Sequence, residues 1–184
     1  MIETENTPNP DTLKFIPGKK VSEIGPIEFI KNEKSITVPL ASKILSLDGT
    51  LMVFFGEDFI TVKKDPNLNW EDLKHSIMSE INDYYSKGND IIVKKSSIKN
   101  KIHAKPDKSN EIINKINEVL DTKVRPAVAK DGGDIQFVSF KDGVVKVALK
   151  GSCSGCPSSV MTLKQGVQNL LCHYISEVKS VEAS

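Results

Sequence analysis

Apolar and polar positions alternate in short stretches of the first half of the chain, and this period of two predicts β-strands. The clearest stretch is Phe59–Lys63, which follows a Gly-Glu-Asp turn and sets Ile60 and Val62 against polar neighbours. Further strands are predicted at Leu13–Ile16, Ile27–Ile30, Leu51–Phe55 and Ile91–Val93. A spacing of three to four residues predicts helices at Ala41–Leu47 and Trp70–Lys87, the second capped by Asn69 and ended by Gly88.

Helical spacing opens and closes the second half of the chain, around a pair of strands. A helix from Ile112 to Leu120, capped by Ser109, should break before Pro126 and resume for one turn through Ala129. Strands are predicted at Ile135–Phe140, Val144–Leu149 and, as an edge strand, Val178–Val181, with a hairpin turn at Lys141-Asp142-Gly143. Pro157 suits the first position of a last helix, whose apolar stripe contains Val160, Leu163, Val167, Leu170, Leu171 and Tyr174.

A stretch rich in Lys, Ser and Asn separates the two halves. Residues 94–108 lack sustained apolar periodicity and contain a proline, which is typical of a linker. We therefore predict an α+β protein of two small domains, residues 1–95 and 109–184, joined by a polar linker at residues 96–108. The second domain is predicted to pack a short sheet on helices. The alternative is one domain with an exposed basic loop.

Composition excludes several classes of partner. The 25 basic and 24 acidic residues leave a formal net charge of +1, which argues against nucleic acid or an anionic membrane. Aromatic residues make up 6% of the chain, too few to suggest base stacking. No apolar run approaches the roughly 20 residues that span a bilayer, and Met1–Asn6 resembles neither a secretory signal nor a transit peptide. Three cysteines are too few for a disulfide framework, so a reducing compartment is predicted.

The candidate chemistry lies at Cys153 and Cys156, in the string Gly-Ser-Cys-Ser-Gly-Cys-Pro between a predicted strand and a predicted helix. A helix N-terminus favours the thiolate, which is the form that binds metal or attacks a disulfide. Small neighbours leave backbone N–H groups free to donate to sulfur. The pair could hold a metal or a cluster, or close a redox disulfide. Asp131 and Asp134 flank two glycines and are interpreted as turn and capping residues.

The chain offers no obvious further ligands for a four-thiolate site. An unbroken helix from Pro157 puts Cys172 about 22 Å further along the axis, too far for a metal–sulfur bond of about 2.3 Å. His173 is discounted for the same reason, and His75 and His103 have no partner suggested by spacing. Two copies facing each other would supply four thiolates, so we infer a homodimer. At this point a zinc clip, an iron–sulfur site and a dithiol oxidoreductase all remain open.

Both halves also carry strings of residues that resemble a known family. The second half resembles the NifU-like C-terminal domain of Nfu-type iron–sulfur proteins in Val124-Arg125-Pro126, Asp131-Gly132-Gly133-Asp134-Ile135, Gly151–Ser159, Thr162-Leu163-Lys164 and His173–Val178. The first half is similar to the N-terminal domain of the same family in Thr7–Phe15, Pro17-Gly18, Val53–Gly56 and Asp58–Val62. The resemblance covers nearly the whole chain.

This resemblance implies a scaffold or carrier and not an enzyme. In the family, two protomers bind one [4Fe–4S] cluster through paired cysteines and pass it to apo-proteins. Carried over, Cys153 and Cys156 are the cluster ligands and Cys172 is none. The implied partners are a second copy, upstream assembly proteins and apo iron–sulfur clients. Because the chain starts almost at the Thr7 string, we expect a bacterial cytoplasmic protein, with the mitochondrial matrix as the alternative.

Overall fold

The computed structural model describes residues 1–34, 36–97, 111–154 and 157–183, and of residues 157–159 it describes the backbone alone. The chain divides into two compact units, Met1–Ile102 and His103–Ser184. Most of the predicted linker, together with Ser109 and His103, lies outside the described residues. Its first two residues lie in Lys95–Ser97, which form one turn of 3-10 helix. The fold class is α+β, as predicted.

The described strands of the first unit form one antiparallel sheet in the order β1-β2-β5-β4-β3. The strands are β1 Glu3–Asn6, β2 Thr12–Ile16, β3 Ile27–Ile30, β4 Thr50–Phe55 and β5 Ile60–Lys64. Four of them were predicted to within one residue at each end. Strand β1 was not predicted, because its mostly exposed Glu-Thr-Glu-Asn string has no apolar alternation and the strand forms by pairing with β2.

Two helices cover the apolar face of this sheet, α1 Pro39–Ser46 and α2 Trp70–Ser86. Leu40 and Ile44 of α1 and Ile77 and Ile81 of α2 are fully buried in the core of the unit. The strand predicted at Ile91–Val93 is wrong: this segment forms only an isolated bridge between Val93 and Ser22. Ile92 and Val93 are nevertheless buried, which explains the pattern that suggested a strand.

The second unit begins with a continuous helical segment and not with the predicted break. Helix α3, Glu111–Val119, continues into a π-helical stretch, Leu120–Val124, and then α4, Arg125–Lys130. Pro126 has no N–H, and its ring would crowd the carbonyl of a regular α-helix. The wider π turn, in which the Arg125 N–H donates to the Leu120 carbonyl, carries the chain past the proline without a break.

The described strands of this unit form one sheet in the order β6-β7-β8. Strands β6, Gly133–Lys141, and β7, Val144–Gly151, form the predicted hairpin. Asp142 and Gly143 both have positive φ, as a tight two-residue turn requires. Strand β8, Ser180–Ala183, pairs in parallel with β7 and lies two residues later than predicted.

Helix α5, Pro157–Tyr174, packs against this sheet together with α3 and α4. The shared core consists of fully or nearly fully buried side chains, among them Ile116, Val128, Ile135, Val145, Val147, Val167 and Leu171. The predicted stripe of α5 is only partly correct, since Tyr174 is exposed. Among the helices of the described residues, none combines the length and the apolar character that crossing a bilayer requires.

Candidate functional site

Cys153 lies in the short loop between the end of β7 and the start of α5. The residue is buried, with 7% of its surface exposed, and it packs on the core of the second unit. The loop turns sharply after Gly151, which has a φ of 69°. The Ser154 backbone N–H and hydroxyl both donate to the Gly151 carbonyl, at 3.2 and 3.0 Å. Cys156 lies outside the described residues, so its predicted role as a ligand stays a prediction.

The turn at residues 131–133, which precedes β6, lies directly behind the cysteine loop. The Ser152 backbone N–H donates to the Gly132 carbonyl at 3.2 Å, and the Ser152 hydroxyl donates to the Asp131 carbonyl. Gly133 is also the register partner of Gly151 in the β6–β7 pair. Two segments about twenty residues apart in sequence are therefore tied together beside Cys153.

Gly133 is the residue of this turn that lies against the sulfur atom of Cys153. A Cβ atom built on Gly133 would lie 2.7 Å from Cys153 Sγ and 2.8 Å from the Lys150 carbonyl oxygen. Real Cβ atoms essentially never approach other heavy atoms so closely. The missing side chain is thus what allows the thiol to pack against the turn. The sequence pattern indicated only a turn at Gly132 and Gly133.

Asp134 is the second residue of β6 and is buried, with 3% of its surface exposed, so its interpretation as a turn residue is wrong. Its Oδ1 atom lies 3.5 Å from Nε of Arg125, and its Oδ2 atom has no hydrogen-bond partner among the described residues. Burial raises the pKa of Asp134 above its ordinary value, and the Arg125 charge opposes this increase. A buried carboxylate with one unbonded oxygen therefore lies next to the glycine that contacts Cys153.

Cys172 lies far along α5 from the cysteine loop. The helix runs unbroken from Pro157, as the distance argument against this residue assumed. Cys172 is in no disulfide and half buried, and it packs against the core of the second unit. His173 stacks edge-on against Tyr174, with 4.9 Å between ring centroids. In the part of the chain that the structure describes, no three His, Cys, Asp or Glu side chains converge to hold a metal ion.

Comparison with known proteins accounts for both halves of the chain. The family described as scaffold protein Nfu/NifU N terminal matches residues 2–88, and the family described as NifU-like domain matches residues 116–182. A human relative, named NFU1 iron-sulfur cluster scaffold homolog, mitochondrial, is 42% identical over 98% of this chain and 70% of its own length. The chain belongs to the Nfu family of NifU-like iron–sulfur scaffold proteins.

A plant relative and a solved structure are also similar to this chain, at different levels of sequence identity. NifU-like protein 4, mitochondrial, from Arabidopsis thaliana is 44% identical over 98% of this chain, and the chain spans 65% of the length of that relative. Among solved structures, a NifU-like protein from Saccharomyces cerevisiae has a TM-score of 0.47 and 24% identity, over 52% of this chain and 85% of that one.

The relatives overturn the expected bacterial cytoplasmic location. Three of the most similar Nfu relatives, two from Arabidopsis thaliana and one from Homo sapiens, are named as mitochondrial at 42–44% identity. The expectation rested on the first residues of the chain. The cysteine count indicates a reducing compartment but does not distinguish the cytoplasm from the mitochondrial matrix.

Proposed function

We propose that this chain is an iron–sulfur cluster scaffold that binds a [4Fe–4S] cluster between two copies and transfers it to apo-proteins. Cys153 and Cys156 of each copy are the proposed ligands, and the cluster is the cargo. The observation that carries the proposal is the position of Cys153, held in the loop before α5 by a turn in which Gly133 makes room for sulfur. Membership of the Nfu family supports the cargo.

The position before α5 suits a thiolate. The 18-residue helix presents the positive end of its dipole to the preceding loop, which favours the charged form of a cysteine. Thiolates are the ligands that hold iron–sulfur clusters, commonly four to a cluster. The proposed pair supplies two, and the nearest alternative thiol, Cys172, is about 15 residues or roughly 22 Å along an unbroken helix. A second copy is the source of ligands that we propose.

This function requires no catalytic group of the chain's own. A site completed by a second chain can release its cargo by exchange of thiolate ligands, which is what a carrier must do. The proposed partners are a second copy, the assembly proteins that load the cluster and apo-proteins that receive it. The names of the relatives support the mitochondrion as the compartment in which this happens.

Anaerobic reconstitution of the full chain with iron and sulfide tests the proposal. We expect about four iron and four sulfide per two chains, and the mass of a dimer in solution by light scattering. The variants C153S and C156S should lose both the cluster and the dimer. The matched control is C172S, which removes the remaining thiol and should retain both. Transfer is then measured as activation of an apo-enzyme that requires a [4Fe–4S] cluster.

Three results would contradict the proposal or part of it. A colourless dimer that retains about one zinc ion per two chains would indicate a structural zinc clip. A monomeric, metal-free protein with rapid disulfide exchange at the two cysteines would indicate a dithiol oxidoreductase. Loss of the cluster in C172S to the same extent as in C153S would contradict the assignment of ligands.

A further inference from the structure

Arg125 connects three parts of the second unit through one guanidinium group. Its Nε atom donates to the Ile135 carbonyl at 3.0 Å and lies 3.5 Å from Asp134 Oδ1. Its Nη1 atom lies 2.9 Å from Asp121 Oδ1, one helical turn earlier. The first two contacts join the start of α4 to the first residues of β6. None of these residues is a proposed cluster ligand.

The two carboxylates that Arg125 contacts have very different surroundings. Asp121 has 54% of its side chain exposed, so water already solvates its charge and the ion pair contributes little. The Asp134 side chain has 4% exposed and its second oxygen has no partner in the described residues. Loss of Arg125 would remove the positive charge that faces this buried carboxylate and leave it with hydrogen bonds from Ile135 and Gln136, which is far more costly than loss of an exposed ion pair.

The position of Asp134 connects this pair to the cysteine loop. Gly133, its neighbour, packs against Cys153 Sγ, and the carbonyls of the two residues before Gly133 accept hydrogen bonds from Ser152. A shift at the start of β6 therefore moves the surface against which the thiol rests. A buried ion pair can serve in this way to select one arrangement of the chain and exclude others.

We propose that Arg125 and Asp134 form a positioning pair that holds the Cys153 loop in place and so limits the rate at which the site opens. The effect of the pair on cluster retention rests on the proposed function of the site. The effect of the pair on the loop does not, because its contacts exist without the cargo. Both residues act through Gly133 and the turn, and neither is proposed to touch the cluster.

The rate at which Cys153 reacts with iodoacetamide tests the pair in the cargo-free protein. The background is the full chain with C156S and C172S, so that Cys153 is the one thiol that remains. The variants are R125Q, D134N, the double variant R125Q/D134N, and D121N as the matched control at the exposed partner of the same arginine. The melting temperature of each protein shows whether it is folded.

We expect R125Q to label about tenfold faster than the background, because it leaves a buried carboxylate without its counter-charge. D134N should label about two- to threefold faster, and D121N should match the background, as expected for an exposed pair. The double variant should label more slowly than R125Q, because the uncompensated charge is gone. A double variant equal to or faster than R125Q, or a D121N effect as large as that of D134N, would overturn the pair.

Failure of R125Q or of the double variant to fold also tests the pair. If R125Q does not fold and R125Q/D134N does, the buried charge is the cause and the pair is supported. If neither folds, Arg125 acts through its other contacts and the pair is contradicted.

Cluster release separates this inference from the proposed function. The reconstituted full chain, with its cysteines intact, is mixed with an iron chelator, and R125Q should lose its cluster several-fold faster than D121N. A native chain that binds no cluster refutes the proposed function, while the labelling rates still decide the pair. A native chain that binds the cluster, with equal labelling in all variants, refutes the pair alone.

Discussion

Replacing Gly133 with alanine tests the packing of the cysteine loop most directly. The new Cβ would lie 2.7 Å from Cys153 Sγ and 2.8 Å from the Lys150 carbonyl oxygen. The sulfur belongs to a buried residue and the oxygen to the β7 backbone, so neither can move away cheaply. Overpacking of this kind typically costs about 1–3 kcal/mol. At about 2 kcal/mol, a unit of this size should melt roughly 10 °C lower.

Gly166 provides the matched control for this substitution. It lies in the interior of α5, and no heavy atom of the described residues outside its own stretch of helix lies within 4 Å of the position where a Cβ would be added. The same change, glycine to alanine, should there raise stability by about 0.5–1 kcal/mol, because alanine is the better helix former. Thermal unfolding by circular dichroism measures both variants, and iron content after reconstitution measures the site. We expect G133A to bind less iron than G166A.

A G133A variant with the melting temperature and the full iron content of the native protein would refute the prediction of overpacking. In that case the cysteine loop would have room for a methyl group, and Gly133 would have no part in holding the thiol. A lower melting temperature in G166A as well would show that glycine is required in this unit for reasons other than the contact with Cys153.

Three further predictions concern the same unit. C172S should lower stability by less than about 1 kcal/mol, measured by urea unfolding, because the side chain is only half buried and forms no disulfide; a larger loss would contradict this. G143A should lose about 1–2 kcal/mol in the same assay, since the turn holds Gly143 at a φ of 80°, and a native-like midpoint would count against a strained turn. The melting temperature of D134N relative to the native protein should fall as pH falls. The pKa of Asp134 is raised in the folded state, so its cost is present at neutral pH and disappears as pH decreases through that pKa toward the ordinary value of 3.8; a pH-independent difference would contradict this.

Local sequence signals were enough to predict most of the elements. Short strand signals located β2, β3, β4 and β5, of which β5 alternates most clearly, and the Lys141-Asp142-Gly143 turn located the β6–β7 hairpin. The predictions of strands failed where contacts between distant parts of the chain determine the local structure. Strand β1 exists through its pairing with β2, and the apolar residues near Val93 are buried without forming a strand. The π turn before Pro126 was missed because a proline within a helical pattern usually ends the helix.

The thiolate chemistry of the candidate site could be predicted from the sequence, but the residues that hold Cys153 in place could not. The spacing of Cys153 and Cys156 and the proline that follows are local features, so they indicate thiolates before a helix. The contact of Gly133 with Cys153 joins residues twenty positions apart, and no local pattern reports it. One signal was available: two glycines in succession immediately before a strand suggest close approach of another segment as well as a turn. The burial of Asp134 had no signal at all, because its neighbours are typical of exposed turns.

The support behind Cys153 bears on how a scaffold could both hold and release a cluster. Gly133 and the two Ser152 hydrogen bonds hold the loop against the turn at residues 131–133. Under the proposed function, ligands from a second copy complete the site, and an acceptor's thiolates can replace them without unfolding either chain. If the turn at residues 131–133 holds the loop in place, the thiolates that exchange are those of the second copy. Weakening this hold, as in R125Q or G133A, should therefore increase cluster loss to a chelator more than productive transfer to an apo-enzyme.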